Sequence, residues 1–150
     1  MLRDEFVTVL ARDHPAARRA LTMESYLSLR HVLVSPEGES FGLVDQALAQ
    51  QGTQRTLGLT LANMFAVGPI VANTRMTATV LKRAALGSPA ASRLKCYPPP
   101  VVLPDIVFHL LWHRRSDADP AQEWFRSGLP RWRQRADRRS PSGAIRQQTP

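Results

Sequence analysis

Histidine and cysteine carry most of the reactive chemistry available to this 150-residue chain, which has four histidines and one cysteine. His109 and His113 stand four residues apart, a spacing that on a helix would let two imidazoles share a metal ion. The apolar residues Ile106–Trp112 predict a strand instead, on which the two Cα atoms would lie about 13 Å apart. We therefore predict no metal site.

The remaining reactive residues lack the surroundings that catalysis needs. Cys96 has no partner for an internal disulfide, which fits a reducing compartment, and no nucleophile signature surrounds it. His14 and His31 flank a turn and a strand start, so we expect both at the surface. The chain has no phosphate-binding glycine-rich loop with lysine and no Gly-x-Ser-x-Gly turn. We predict no catalytic residues, no cofactor and no enzyme.

The net charge of +8 is concentrated at the C-terminal end. Residues 131–150 contain six arginines and one aspartate among Ser, Gln and Pro, a composition that predicts disorder. Arg131-Trp132-Arg133 interleaves an aromatic residue with arginines, so polyanion binding stays open beside a solubilising role. The chain start shows no export signal, and no apolar run approaches the ~20 residues of a membrane span, so we expect a cytoplasmic protein without a membrane partner.

Strand and helix patterns alternate over the first 130 residues. The predicted strands are Phe6–Leu10, His31–Ser35, Leu57–Leu61, Met76–Val80, Leu94–Tyr97 and Ile106–Trp112. The predicted helices begin near Thr22, Gly42, Asn63, Leu81 and Asp119, and the last one ends at Gly128. Such alternation predicts an α/β fold with a mainly parallel sheet that helices cover on both faces. Ligands of these sheets bind beyond the carboxyl ends of the strands.

An ordered series of short motifs runs through the chain. The most distinctive one is Leu110-Leu111-Trp112-His113-Arg114-Arg115-x-Asp117-Ala118-Asp119-Pro120, with Trp124 just beyond it. The earlier ones are Phe6–Ala17, Leu21–Tyr26, His31–Gly38, Gly42–Leu48 and Leu57–Ala72. Taken in order, over residues 4–132, the series resembles the effector-binding domain of LysR-type transcriptional regulators. The resemblance is greatest to the subgroup of nodulation and naphthalene-degradation regulators.

The resemblance implies a lobe similar to those of type 2 periplasmic binding proteins, which hold a small-molecule effector between two lobes. Regulators of this family carry an N-terminal winged helix-turn-helix and work as oligomers, usually tetramers. This sequence starts at the strand that crosses into the second lobe. We therefore expect an effector-binding domain at residues 1–130, with lobe two at about residues 10–106 and an incomplete first lobe. DNA contact would occur only through an N-terminal domain that this sequence lacks.

The resemblance also implies which residues line the effector cleft. They are Ser35, Phe41, Asn63, Met64, Phe65 and Thr79. Three of them would offer hydrogen bonds and three would form apolar walls. The free N–H groups at the helix starts favour a carboxylate-bearing, aromatic effector. Simpler interpretations stay open, because Asn63 can be only a helix cap, and Met64 and Phe65 only core. The alternative function is a non-sensing interaction module that pairs through Trp124 and Phe125.

Overall fold

The computed structural model describes the backbone of residues 2–139 and the side chains of residues 2–129. Two compact units divide between Phe108 and His109. The strands are β1 Leu2–Asp4, β2 Phe6–Ala11, β3 Arg30–Val34, β4 Thr56–Leu61, β5 Thr77–Leu81, β6 Leu94–Tyr97 and β7 Ile106–Phe108. The α-helices are α1 Met23–Leu27, α2 Leu43–Gln50, α3 Val67–Ala72, α4 Lys82–Leu86 and α5 Pro120–Arg139.

A five-stranded sheet in the order β4-β3-β5-β2-β6 forms the centre of the first unit. β3 pairs in parallel with β4 and β5, while β2 pairs antiparallel with β5 and β6. Four of these five strands therefore share one direction. The predicted α/β class is confirmed, but the sheet is mixed, because β2 enters it from the edge at which the other four strands end.

Helices cover both faces of the sheet, as predicted. Alternate residues of a strand point to opposite faces, so Ala78 and Val80 face one side and Thr79 the other. The hydroxyl of Thr79 meets that of Tyr26 from α1 at 2.9 Å, which places α1 on the second face. The first cluster is Val7, Val9, Val32, Val67, Val71, Ala78, Val80, Ala85 and Leu94. The second is Tyr26, Val44, Leu48 and Val101.

A separate two-stranded pair joins the start of the first unit to its end. β1 and β7 pair antiparallel, with Leu2 opposite Phe108 and Asp4 opposite Ile106. The strand predicted to reach Trp112 ends at Phe108. Its three residues are the ones that lie opposite β1.

The second unit, described by itself, is organised around Arg126 of α5. The Trp112 indole N–H donates to Asp117 Oδ1 at 2.6 Å. The Arg126 guanidinium stacks over the Trp112 ring at 5.0 Å and donates to the carbonyl of Ser116 at 3.1 Å. The distinctive motif of the sequence thus builds the turn that leads into α5.

The helix α5 starts as predicted but ends later. Asp119 Oδ1 accepts from the N–H groups of Ala121 and Gln122 at 2.9 and 3.3 Å, which caps the helix. The predicted end at Gly128 is wrong, since the helix runs on to Arg139. The helix continues through Gly128 and Pro130, and Arg, Gln and Ala, which favour helix, are frequent beyond them.

This continuation changes the prediction for the C-terminal segment. The structure has a helix over residues 131–139, where the composition predicts disorder. Residues 140–150 and the arginine side chains of the polyanion hypothesis lie outside the described part. No helix within that part is long and apolar enough to cross a membrane.

We expect Gly68→Ala to destabilise the first unit. A Cβ at Gly68 would lie 2.0 Å from Ser88 Oγ and 2.7 Å from Ser88 Cβ, so α3 would have to move. The expected loss in the free energy of unfolding, measured by urea denaturation, is about 1–3 kcal/mol. Ser88→Gly removes both obstructing atoms, so Gly68→Ala should cost much less in that background. An equal loss in both backgrounds would contradict this packing.

Candidate functional site

The carboxyl ends of β3 and β4 meet at one edge of the sheet. Val34 and Leu61 are in register, and the N–H of Ser35 donates to the carbonyl of Leu61 at 2.8 Å. Asn63 follows β4 by two residues, so the structure places Ser35 and Asn63 at the same edge. We refer to residues 35–42 and 62–65 as the rim.

The rim presents hydrogen-bond donors that have no internal partner. Asn63 Oδ1 accepts from the N–H of Phe65 at 2.9 Å and caps the short 3-10 helix Met64–Ala66. The Asn63 amide nitrogen and the Ser35 hydroxyl make no hydrogen bond within the described part of the chain. The amide offers two N–H groups and the hydroxyl one O–H. The Oδ1 atom of Asn63 therefore caps the helix, while its amide nitrogen remains available in an exposed side chain.

Two exposed phenylalanines lie on the same rim. Phe41, just before α2, is 54% exposed, and Phe65 is 71% exposed. Met64 is half-buried and belongs to neither core cluster. The interpretation of Phe65 as plain core is therefore wrong, since most of its ring faces solvent. Exposed apolar groups beside polar donors are typical of a ligand or partner surface.

Thr79 lies below the rim. Val32 is in register with Ala78, so Thr79 is level with Leu33, two residues before Ser35. Its Oγ1 lies 2.9 Å from the Tyr26 hydroxyl and 3.1 Å from Thr8 Oγ1. A hydroxyl donates once and accepts twice, so Thr79 retains one bond for a ligand. The structure does not bring Thr79 to the rim with the other five candidates.

A buried ion pair fixes the start of α2 beside Phe41. Nε and Nη2 of Arg55 donate to the two carboxylate oxygens of Asp45, both at 2.8 Å. Asp45 Oδ2 also accepts from the N–H of Gly42 at 2.8 Å. Burial by itself would raise the pKa of Asp45, but the hydrogen bonds and charge of Arg55 outweigh it and hold the pKa below its usual value. The pair therefore positions the residue next to Phe41.

His31 is fully buried, so the predicted surface position is wrong. It lies on β3 in the interior of the sheet, with its ring 4.4 Å from the Tyr26 ring in an edge-on arrangement. Nε2 lies 2.8 Å from the Tyr26 carbonyl and donates to it, while Nδ1 has no partner among the described residues. Burial lowers the pKa of His31 to about 4, so the ring is neutral at pH 7.

Tyr26 completes this buried network. Burial raises the pKa of its hydroxyl, more than the hydrogen bond with Thr79 and the charge of Arg55 lower it. The hydroxyl therefore stays protonated and can donate to Thr79. Sequence reasoning missed Tyr26, Asp45 and Arg55 as a group. The sequence feature that could have indicated this group is Arg55, a charged residue directly before β4.

The residues first considered for chemistry lie elsewhere. His109 and His113 are exposed, and no group of three His, Cys, Asp or Glu side chains among the described residues could hold a metal ion. Cys96 is half-buried, and its burial raises the pKa of the thiol, with a smaller opposing effect from the charge of Lys82. A raised pKa makes the thiol a weaker nucleophile at neutral pH.

Comparison with known families assigns this architecture. The family described as LysR substrate binding domain matches residues 1–133. The chain belongs to this family. NahR of Pseudomonas putida, an HTH-type transcriptional activator, is 35% identical over 126 residues, and NagR of Ralstonia sp., also an activator, is 32% identical over 126 residues. Each alignment covers 84% of this chain and 42% of the relative, so the chain spans about two fifths of their length.

The predicted subgroup is confirmed as well. Nodulation protein D 1 of a Bradyrhizobium species is 25% identical over 128 residues, which is 84% of this chain and 40% of that protein. Together with NahR and NagR it represents the nodulation and naphthalene-degradation regulators. These LysR relatives are regulators of transcription.

Solved structures confirm the lobe fold. A putative transcriptional regulator from Vibrio parahaemolyticus aligns with a TM-score of 0.73 at 26% identity, over 91% of this chain and 63% of that one. The effector-binding domain of QuiR, solved in complex with shikimate, aligns with a TM-score of 0.55 at 15% identity, over 89% of this chain and 63% of that one. The second likeness concerns the fold alone.

We expect the first unit to lose stability as the pH falls from about 6.5 to about 4. The folded-state pKa of His31 is about 4, below the unfolded value of about 6.5, so the unfolded chain binds the proton first. The difference corresponds to about 3 kcal/mol in the free energy of unfolding at pH 4 and below. Urea denaturation at a series of pH values measures it.

His31→Gln removes this titration and should flatten the pH profile in that window. The matched control is His109→Gln, since His109 is exposed and should leave the slope as in the unmodified chain. A profile unchanged by His31→Gln would show that another group carries the acid sensitivity.

Proposed function

We propose that this chain is the effector-sensing part of a LysR-type transcriptional regulator and that the effector binds at the rim. The observation that carries the proposal is the combination of unpartnered donors on Ser35 and Asn63 with the exposed rings of Phe41 and Phe65. Donor groups of this kind suit a carboxylate, and the rings suit an aromatic body. Thr79 contributes its remaining hydrogen bond from below.

The family relatives support this proposal. NahR and NagR are activators of transcription, and the QuiR domain was solved with shikimate, a cyclic carboxylate. We propose that this chain supplies the effector-binding domain, at residues 1–130, and that lobe two occupies about residues 10–106 of it. DNA contact belongs to the winged helix domain of a complete regulator, which works in the cytoplasm.

The proposed mechanism is a shift of population and involves no catalysis. An effector stabilises whichever arrangement of the regulator it binds more tightly, by no more than its difference in affinity between the arrangements. The Arg55–Asp45 pair fixes the backbone at Gly42, next to Phe41, before the effector arrives. This pre-ordering reduces the entropy that binding must offset.

A thermal-shift series with benzoate, hydroxybenzoates and shikimate tests the proposal. A ligand at 100 times its dissociation constant adds about 2.7 kcal/mol of stability, which raises the unfolding midpoint by roughly 5–10 °C for a chain of this size. We expect a shift with an aromatic carboxylate and a smaller one with shikimate. Absence of a shift across the series would contradict an effector site at the rim.

Matched variants locate the binding. Phe65→Ala and Ser35→Ala should each weaken the best ligand about tenfold, the loss of one apolar wall or one hydrogen bond to a charged group. Leu86→Ala is the control, because Leu86 is an exposed apolar residue on α4 outside the rim. A ligand that loses no affinity in either rim variant binds somewhere else.

We propose in addition that the chain self-associates through the apolar segment Leu110–Trp112 of the second unit. Leu111 is 86% exposed, and Leu110 and Trp112 are 46% and 52% exposed. A run of exposed apolar side chains of this kind is unusual on a monomer. A second copy offers the same surface and can cover it symmetrically.

Light scattering after size-exclusion chromatography tests this association. We expect a mass above the 16.7 kDa of one chain at high micromolar concentration, falling to the monomer mass in Leu111→Glu. Leu86→Glu, with the same change of charge elsewhere, should keep the higher mass. A monomer at every concentration would exclude the association.

A further inference from the structure

A groove of about 760 Å³ opens at the end of the sheet opposite the rim. Residues 12–15, 72–75 and 92–93 line it. These segments follow β2, precede β5 and precede β6, and each one brings an arginine. Neither the rim nor the proposed effector function uses any of these residues.

Hydrogen bonds join the segments that carry Arg12 and Arg93. The backbone N–H of Arg12 donates to the carbonyl of Arg93 at 2.8 Å. Nη1 of Arg93 donates to Asn73 Oδ1 at 2.9 Å, and Asn73 Nδ2 donates to the carbonyl of Pro69 at 2.7 Å. The Arg93 guanidinium is therefore held by Asn73, the residue that follows α3.

A buried histidine joins the third segment. His14 is 7% exposed, so its predicted surface position is wrong. Its Nδ1 accepts from the N–H of Ala16 at 3.0 Å, which leaves the proton on Nε2. Nε2 then donates to the carbonyl of Arg75 at 3.2 Å. The histidine thus connects the loop after β2 to the loop before β5. Hydrogen bonds therefore link the three segments that carry Arg12, Arg75 and Arg93.

The groove carries an excess of positive charge. Asp13 is its one acidic lining residue, against Arg12, Arg75 and Arg93. The side chains of Arg12 and Arg75 are exposed and form no ion pair within the described part of the chain. Their guanidinium forks are therefore available to a ligand.

We propose that this groove binds a small oligophosphate through Arg12, Arg75 and Arg93. Guanidinium groups match the oxygens of a phosphate two at a time, and three of them from three segments suit a ligand with several phosphate groups. The volume falls within the roughly 300–1,000 Å³ of small-molecule sites. The phosphates of a nucleic acid backbone share this chemistry, but a double helix needs a longer contact surface than this groove offers.

Titration calorimetry of the whole chain with inorganic tripolyphosphate at low ionic strength tests the proposal. We expect saturable binding that Arg12→Gln and Arg75→Gln each weaken about tenfold, the effect of removing one charge-assisted contact. Arg3→Gln is the control, because Arg3 is exposed on β1, away from the groove, and should leave the affinity unchanged. The substituted arginines are exposed, so thermal unfolding should be unaltered and report that each variant is folded.

Three outcomes would overturn the proposal. One is no binding of tripolyphosphate, and another is equal binding by the groove variants, which would place the anion on arginines elsewhere, residues 131–150 included. The third is a 20-base-pair duplex that binds more tightly than tripolyphosphate and loses its affinity in Arg12→Gln, which would assign the groove to nucleic acid. Tripolyphosphate binding that depends on Arg12 and Arg75 and exceeds duplex binding supports the proposal.

Discussion

The buried ion pair between Arg55 and Asp45 is the constraint on which the start of α2 and the adjoining part of the rim depend. It brings two full charges out of water, so each needs the other, and loss of either partner from such a pair typically costs 3–5 kcal/mol. Both carboxylate oxygens are used by the guanidinium, and one also holds the first turn of α2. The pair therefore fixes the backbone at Gly42, the residue next to Phe41.

Burial is the main cause of the pKa shifts of the neighbouring Tyr26 and His31, and the charges of Arg55 and Asp45 make smaller, opposing contributions. The charge of Arg55 lowers the pKa of both Tyr26 and His31. The Tyr26 hydroxyl is hydrogen-bonded to Thr79, whose hydroxyl is in turn hydrogen-bonded to that of Thr8. The second face of the sheet is therefore held by a polar chain as well as by apolar packing. Such networks stabilise one arrangement when nearly every member is bonded, and His31 Nδ1 is the member left without a partner.

Local signals in the sequence predicted most elements, because caps, turns and periodicity act over a few residues. Asn63 and Asp119 cap helices at the positions where their side chains predicted a helix start. The direction of β2 and the burial of His31 depend on pairing partners about 70 and 46 residues away along the chain, which no local pattern contains. The rim could be located from strand ends alone, whereas the depth of Thr79 required the register between β3 and β5.

The run of β2 through the sheet has a consequence for how its two ends can influence each other. Six extended residues span about 20 Å, from the rim beside Phe6 to the basic loop at Arg12. That length is about twice the distance over which physiological salt screens a charge. The solvent therefore screens most of the interaction between an anion at one end and a charge at the other, and β2 is a direct structural connection between the two ends.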